Sequence, residues 1–177
     1  MPDTSSEYEK AKAINDAYRT AAMNRKYYSC RLNRAKRLNL SIEIFMAFGT
    51  SGAVAAWNIW SNGKGVLVWK ILAAIVTLIA LIKPFLQLSK TIERYAELVT
   101  GYAGLYYDLE QLSLDMKTSK CVGDSCWKRY LSTLQKTKDL GIKDDISVRK
   151  RLHRKCFDDV KKEIPASSLW WPEKEIR

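Results

Sequence analysis

Two apolar segments with almost nothing between them constrain this chain more than any other feature. The first runs from about Leu38 to Ser61 and carries one charge, Glu43, near its start. The second begins near Val66 and runs to about Ile82, interrupted only by Lys70. Ser61-Asn62-Gly63-Lys64-Gly65 separates them. Crossing the hydrocarbon core of a bilayer takes about 20 apolar residues at about 1.5 Å of helical rise each. The first segment meets that alone; the second meets it on continuing past Lys83-Pro84 through Phe85, Leu86 and Leu88. The pattern predicts a tight transmembrane helical hairpin. The alternative is a pair of buried core helices in a soluble protein. Against it, Ile44 to Gly63 is 20 residues without a charge and lacks the polar face of a surface helix.

The expected architecture is all-α. A cytosolic amphipathic helix (1–37) leads into a two-span hairpin (38–88), followed by a cytosolic helical domain (89–177); the long flanking helices form a bundle. The first 37 residues are charged and lack the apolar core of a signal peptide, so the first span is expected to act as a non-cleaved anchor. Arg31, Arg34, Lys36 and Arg37 precede the first span, and Lys83, Lys90 and Arg94 follow the second. The basic excess therefore lies beside both termini, which predicts a multi-pass inner-membrane protein with both termini cytosolic. Cys30, Cys121, Cys126 and Cys156 then lie in a reducing compartment, where disulfides are not expected.

Tyr8, Ala11, Ile14, Tyr18, Ala21, Tyr28 and Leu32 form a stripe at helical spacing, and neither Pro nor Gly occurs between Pro2 and Gly49. One helix is expected to feed directly into the first span. After a kink at Pro84, Ser89 to Lys117 shows a heptad-like pattern. Ile92, Val99 and Tyr106 hold one set of positions, and Tyr95, Tyr102, Leu109 and Met116 the other. Leu98, Leu105 and Leu112 widen the face. Such a helix seeks a partner, either within the chain or in another subunit, so Ile92, Tyr95, Val99, Tyr102, Tyr106 and Leu109 are expected to form a bundle or oligomer seam. Cys121–Cys126 reads as a loop. A short helix with Trp127, Tyr130, Leu131 and Leu134 on one side ends near Gly141. A last helix runs from Asp145 or Ser147 to Glu163 and stops at Pro165.

No catalytic constellation stands out, and an enzyme is not expected. The chain has one histidine, His153, and no phosphate-binding glycine loop; Gly49-Thr50-Ser51-Gly52 lies inside the first span and precedes no lysine. No cofactor is implied. At 100° per residue, Glu43, Thr50, Ser51, Asn58 and Ser61 share one arc of the first span. One reading makes Glu43, Thr50, Ser51 and Asn58 a pore lining, with Gly49, Gly52, Ala53 and Ala56 on the other face for close helix packing. The other places Glu43 at the headgroups and lets the hydroxyls bond their own backbone. Trp57, Trp60 and Trp69 cluster at the hairpin end as interfacial anchors in contact with lipid.

Cys121, Cys126, His153 and Cys156 are the ligand types of a zinc site. The Cys-x4-Cys spacing is loose, and His153 shares an apolar arc with Leu152, Cys156, Phe157, Val160 and Ile164, which favours a buried structural histidine and no metal. Arg149, Lys150, Arg151, Arg154 and Lys155 make the sharpest basic cluster. It reads as a solvated face or an anionic-lipid contact; with no stacking aromatics interleaved, nucleic acid is not expected.

The Arg- and Tyr-rich helix from Tyr18 to Arg37, the short-looped hairpin, and the long helix carrying Leu88-Ser89-Lys90, Tyr95-Ala96-Glu97-Leu98, Tyr102, Tyr106 and Leu109 resemble the SLATT family of bacterial two-transmembrane effector domains. The likeness covers residues 8–165. It implies a conflict-system effector that forms homo-oligomers and breaches the inner membrane in antiphage defence when a partner protein detects infection or a nucleotide signal. No sensor domain is recognisable, so the resemblance leaves room for a separate sensor or regulatory protein. The expected function is an oligomeric pore-forming effector. The alternative is a non-conducting anchor or scaffold that recruits a cytosolic partner.

Overall fold

The computed structural model describes residues 4–50, 63–144 and 148–171. It is all-helical, and no strand occurs among the described residues. Helix α1 spans Thr4–Thr50, α2 Gly63–Leu86, α3 Leu88–Ser119, α4 Asp124–Ile142 and α5 Lys150–Glu163; a 3-10 turn, Ala166–Ser168, follows. With no helix breaker before Gly49, α1 runs without interruption for 47 residues, about 70 Å at helical rise. Pro84 lies in the last turn of α2, where its missing N–H and ring weaken the helix. Gln87, with φ 42°, then separates α2 from α3. α3 closes on Lys120, whose φ of 50° places it in the left-handed region and aims its N–H at the Met116 carbonyl, 2.8 Å away.

The chain divides into two compact units, one of residues 1–30 with 94–177 and the other of residues 31–93.

The first unit has a helical core. α1 buries Ala11, Ile14, Tyr18, Ala21, Ala22, Met23, Tyr27 and Tyr28, and α3 buries Tyr95, Leu98, Tyr102, Leu105, Leu109, Leu112 and Met116. The two stripes meet through tyrosines. Tyr28 stacks on Tyr102 with centroids 5.6 Å apart and planes 1° from parallel, and Tyr18 stacks on Tyr106 at 5.0 Å. α3 and α4 form an antiparallel hairpin edged by ion pairs. Arg129 meets Asp115 at 2.7 Å, Lys136 meets Asp108 at 2.6 Å one heptad further, and Lys143 pairs with Glu97. Arg94 fastens the far end by donating to the Lys143 and Asp144 carbonyls at 2.9 and 2.8 Å. α5 contributes Leu152, Cys156 and Val160. α1 meets the α3 stripe through the tyrosines and the α3–α4 ion pairs run beside it, so Tyr95, Leu98, Tyr102, Leu105, Leu109, Leu112 and Met116 are buried within their own chain. Ile92 and Val99, expected at the seam, are only half-buried.

Three local expectations need correction. Residues 124–126 belong to α4, so the loop between α3 and α4 is shorter than Cys121–Cys126. The buried face of α4 is Cys126, Tyr130 and Thr133, while Leu131 and Leu134 are exposed. α5 begins at Lys150, after Asp145 and Ser147.

The second unit differs in kind. Its large apolar side chains face outward: Leu38, Leu40, Ile44 and Phe45 on α1, and Leu67, Val68, Ile71, Ile75, Leu78, Leu81, Ile82, Phe85 and Leu86 on α2. Val76 is the buried exception on α2 among the described side chains. Among the described residues no single helix is long and apolar enough to cross a membrane; the bent pair Lys70–Leu86 and Leu88–Ser119 meets the length and composition together.

Candidate functional site

The most chemically distinctive surface is the apolar exterior of α2. Phe85 is 84% exposed and Leu81 64%, against 8% for Val76. Burying one such side chain contributes about 1.5–3 kcal/mol, and soluble monomers rarely leave a contiguous surface of this kind uncovered. Its polar side chains are muted. The Thr77 hydroxyl donates to the Ala73 carbonyl at 2.9 Å, satisfying itself within its own helix. Lys83 lies 3.8 Å from Glu43, whose Oε1 also accepts a hydrogen bond from Asn39 Nδ2 at 2.8 Å. Glu43, expected as a pore-lining carboxylate, is thus shared between an amide one turn earlier on α1 and an ammonium of α2.

The remaining first-span residues fall at or beyond the edge of what is described. Gly49 and Thr50 lie in the last turn of α1. Ser51, Gly52, Ala53, Ala56, Trp57, Asn58 and Trp60 lie outside the described residues, and Trp69 is placed on α2 by its backbone alone. Of the seam residues, Tyr95, Tyr102 and Leu109 are buried and Tyr106 is half-buried, all within the first unit.

That unit holds two features that the sequence pattern did not single out. The first is a tyrosine–carboxylate relay. The Tyr106 hydroxyl donates to Glu110 Oε1 at 3.1 Å, and the Tyr18 hydroxyl lies 3.0 Å from Tyr106 Oη. The Arg25 guanidinium covers the Tyr106 ring at 4.2 Å, a cation–π contact. Burial, reinforced by the Tyr106 hydroxyl and the Glu110 carboxylate, pushes the Tyr18 phenol well above its usual value. The Tyr18 phenol therefore stays protonated at neutral pH, and its hydrogen bonds position α1 against α3. The second is a cleft of about 310 Å³ between α1 and α5, with Met23, Phe157 and Val160 as its apolar wall and Arg19, His153 and Lys161 among its polar lining. His153 is half-buried against the Tyr27 ring edge, and Phe157 is half-exposed, so the apolar arc expected on α5 is narrower than its sequence suggests.

The four cysteines are free thiols. Among the described residues no group of three or more His, Cys, Asp or Glu side chains is arranged to hold a metal ion. Arg149, Lys150, Arg151, Arg154 and Lys155 are all exposed, a solvated basic face.

No protein-family model, curated protein or solved structure matches this chain.

Proposed function

We propose that the chain is a membrane-inserted effector that oligomerises to form a pore or to disrupt the bacterial inner membrane, gated by a partner or signal. The observation that carries this reading is the outward-facing apolar surface of α2. A core helix of a soluble domain buries its apolar face, whereas α2 turns Ile71, Ile75, Leu78, Ile82 and Phe85 outward and pairs its Lys83 with Glu43. Lipid is the solvent that makes such a surface favourable. The hairpin arms draw on residues 51–62 as well as on α2, and the basic residues beside both termini favour cytosolic ends. The effector role in antiphage defence rests on the resemblance to the SLATT family. Glu43, Thr50, Ser51 and Asn58 are the proposed lining of the conduction path.

The second reading, a non-conducting anchor or scaffold, is favoured by two observations. Lys83 pairs with Glu43, and the α3 stripe is buried within its own chain.

The test is reconstitution of the purified chain into dye-loaded liposomes. The pore reading expects carbonate-resistant incorporation with dye release and cation conductance. Glu43→Gln is expected to lower cation selectivity and Asn58→Leu to lower flux, while Ile59→Leu changes little. Incorporation without flux supports the scaffold. Release from the membrane by high salt overturns both, because surface charge contacts are screened whereas apolar insertion is not.

A further inference from the structure

The cleft of about 310 Å³ between α1 and α5 has no part in the proposed membrane role, and it lies wholly within the first unit. Arg19 and Met23 reach it from one face of α1, and His153, Phe157, Val160 and Lys161 from one face of α5. Met23 and Val160 make a buried floor, while Phe157 keeps half of its ring in solvent and gains by being covered. The charges on this cleft are not used within the chain. Lys26, Arg129, Lys136 and Lys143 of the same unit each hold a carboxylate. Arg19 and Lys161 make neither an ion pair nor a hydrogen bond among the described residues. Asp16 lines the same cleft one turn before Arg19, yet the two do not pair. The Thr20 hydroxyl is already engaged, donating to the Asp16 carbonyl at 2.7 Å.

We propose that this cleft binds a small amphiphilic monoanion, a medium-chain alkyl carboxylate. Arg19 and Lys161 take the carboxylate, and the alkyl chain lies on Met23, Phe157 and Val160. Each part of the ligand answers one part of the lining. The planar Arg19 guanidinium offers paired N–H donors that match a carboxylate, and the Lys161 ammonium adds a second positive charge. His153 carries a ring N–H donor in either protonation state. The Asp16 carboxylate on the same cleft opposes a second negative charge, which favours a monoanion over a phosphate monoester. The apolar floor gives nothing to an inorganic anion but stabilises a hydrocarbon chain. Size sets the length. A methylene occupies about the room of a water, about 30 Å³, so the cleft suits a chain of about ten carbons at most and is too small for a two-tailed phospholipid. The site belongs to the first unit and does not depend on what covers α2.

The test uses the full-length chain in phosphatidylcholine nanodiscs and octanoate carrying a diazirine on its chain, photolysed and mapped by peptide mass spectrometry. Saturable labelling is expected on residues 19–23 and 153–161. Octanoate is expected to compete, and octylamine, of equal chain length and opposite charge, is not. Arg19→Gln and Lys161→Gln are each expected to weaken octanoate about tenfold, the loss of one charge-assisted contact. Phe157→Ala is expected to shrink the preference for octanoate over hexanoate. All three side chains are at least partly exposed, so helical content and unfolding are expected to stay at the wild-type level. Lys162→Gln, exposed and outside the cleft, is expected to bind as wild type. Labelling that never saturates, or that falls mainly on α2, overturns the proposal. So does competition by octylamine equal to that by octanoate, or wild-type affinity in both Arg19→Gln and Lys161→Gln.

Discussion

The Lys83 ammonium lies 3.8 Å from the Glu43 carboxylate, so the charge that opens the first apolar segment meets one that closes the second. Glu43 follows Leu38–Ile42 and precedes the long uncharged run, and Lys83 follows the apolar run of α2, so antiparallel helices bring them to one level. Both side chains keep solvent access, and a pair of that kind contributes about 0–1 kcal/mol in water. Its larger effect is on neighbouring apolar surface, where an unpaired charge is costly. Glu43→Lys is expected to reduce the carbonate-resistant membrane fraction, and the swap Glu43→Lys with Lys83→Glu to recover most of it. Equal fractions for the single and double variants would show that the contact has no energetic role.

Gly101 and Gly104 of α3 give a contrast within one helix. A Cβ on Gly101 would sit 2.3 Å from Leu140 Cδ2, whereas one on Gly104 meets nothing within 4 Å. Gly in a helix interior costs about 0.5–1 kcal/mol relative to Ala. Gly104→Ala is therefore expected to stabilise the fold by that amount in denaturant unfolding. At Gly101 the same gain is offset by displacement of Leu140, and overpacking costs about 1–3 kcal/mol. Gly101→Ala is expected to be neutral to destabilising and always less stable than Gly104→Ala.

These contacts show what the sequence makes legible. The absence of Gly and Pro before Gly49 foretells an unbroken α1, and the Tyr95–Met116 spacing foretells a buried stripe on α3. Spacing says that a face needs covering but not what covers it, and the tyrosines of α1 stacked on Tyr102 and Tyr106 have no local period that announces them. On α4, Leu131 and Leu134 outweigh Cys126 and Thr133 in apolar size, yet packing selects the smaller pair. Glu43 with Lys83, and Tyr18 with Tyr106, are juxtapositions over long sequence separations that no local period encodes.

Asn15 is 1% exposed, and neither of its side-chain polar atoms has a hydrogen-bond partner. An unsatisfied buried amide costs about 1–3 kcal/mol. Its position next to Ile14 in the buried stripe of α1 suits an apolar side chain of the same branched shape. Asn15→Leu is expected to raise the free energy of unfolding by about that amount. A loss of stability in the same measurement would mean that the amide has a partner or that the site lacks room.

The last prediction is a pH dependence carried by buried tyrosines. Burial raises the Tyr18, Tyr102 and Tyr130 phenols above their ordinary value; Tyr106 adds to the shift at Tyr18 and Asp16 to that at Tyr130. In the unfolded chain these groups lose their protons near about pH 10, while in the folded chain they keep them. Above that point the unfolded state binds fewer protons, so stability falls as pH rises. Below it both states are protonated and the groups give no slope. Burial likewise raises the Cys126 and Cys156 thiols, which starts the decline earlier, near their unfolded value of about 8.5. Denaturant unfolding is therefore expected to show stability insensitive to these groups between about pH 6.5 and 8, falling progressively above about pH 9. Tyrosinate absorbance is expected to appear later in native than in denatured protein. Tyr102→Phe keeps a ring against Tyr28 but removes the hydroxyl that lies 3.3 Å from Asp144 Oδ2. It is expected to cost about 1 kcal/mol at neutral pH and to flatten part of the alkaline decline. An unchanged alkaline slope in Tyr102→Phe would assign the decline to the other buried groups.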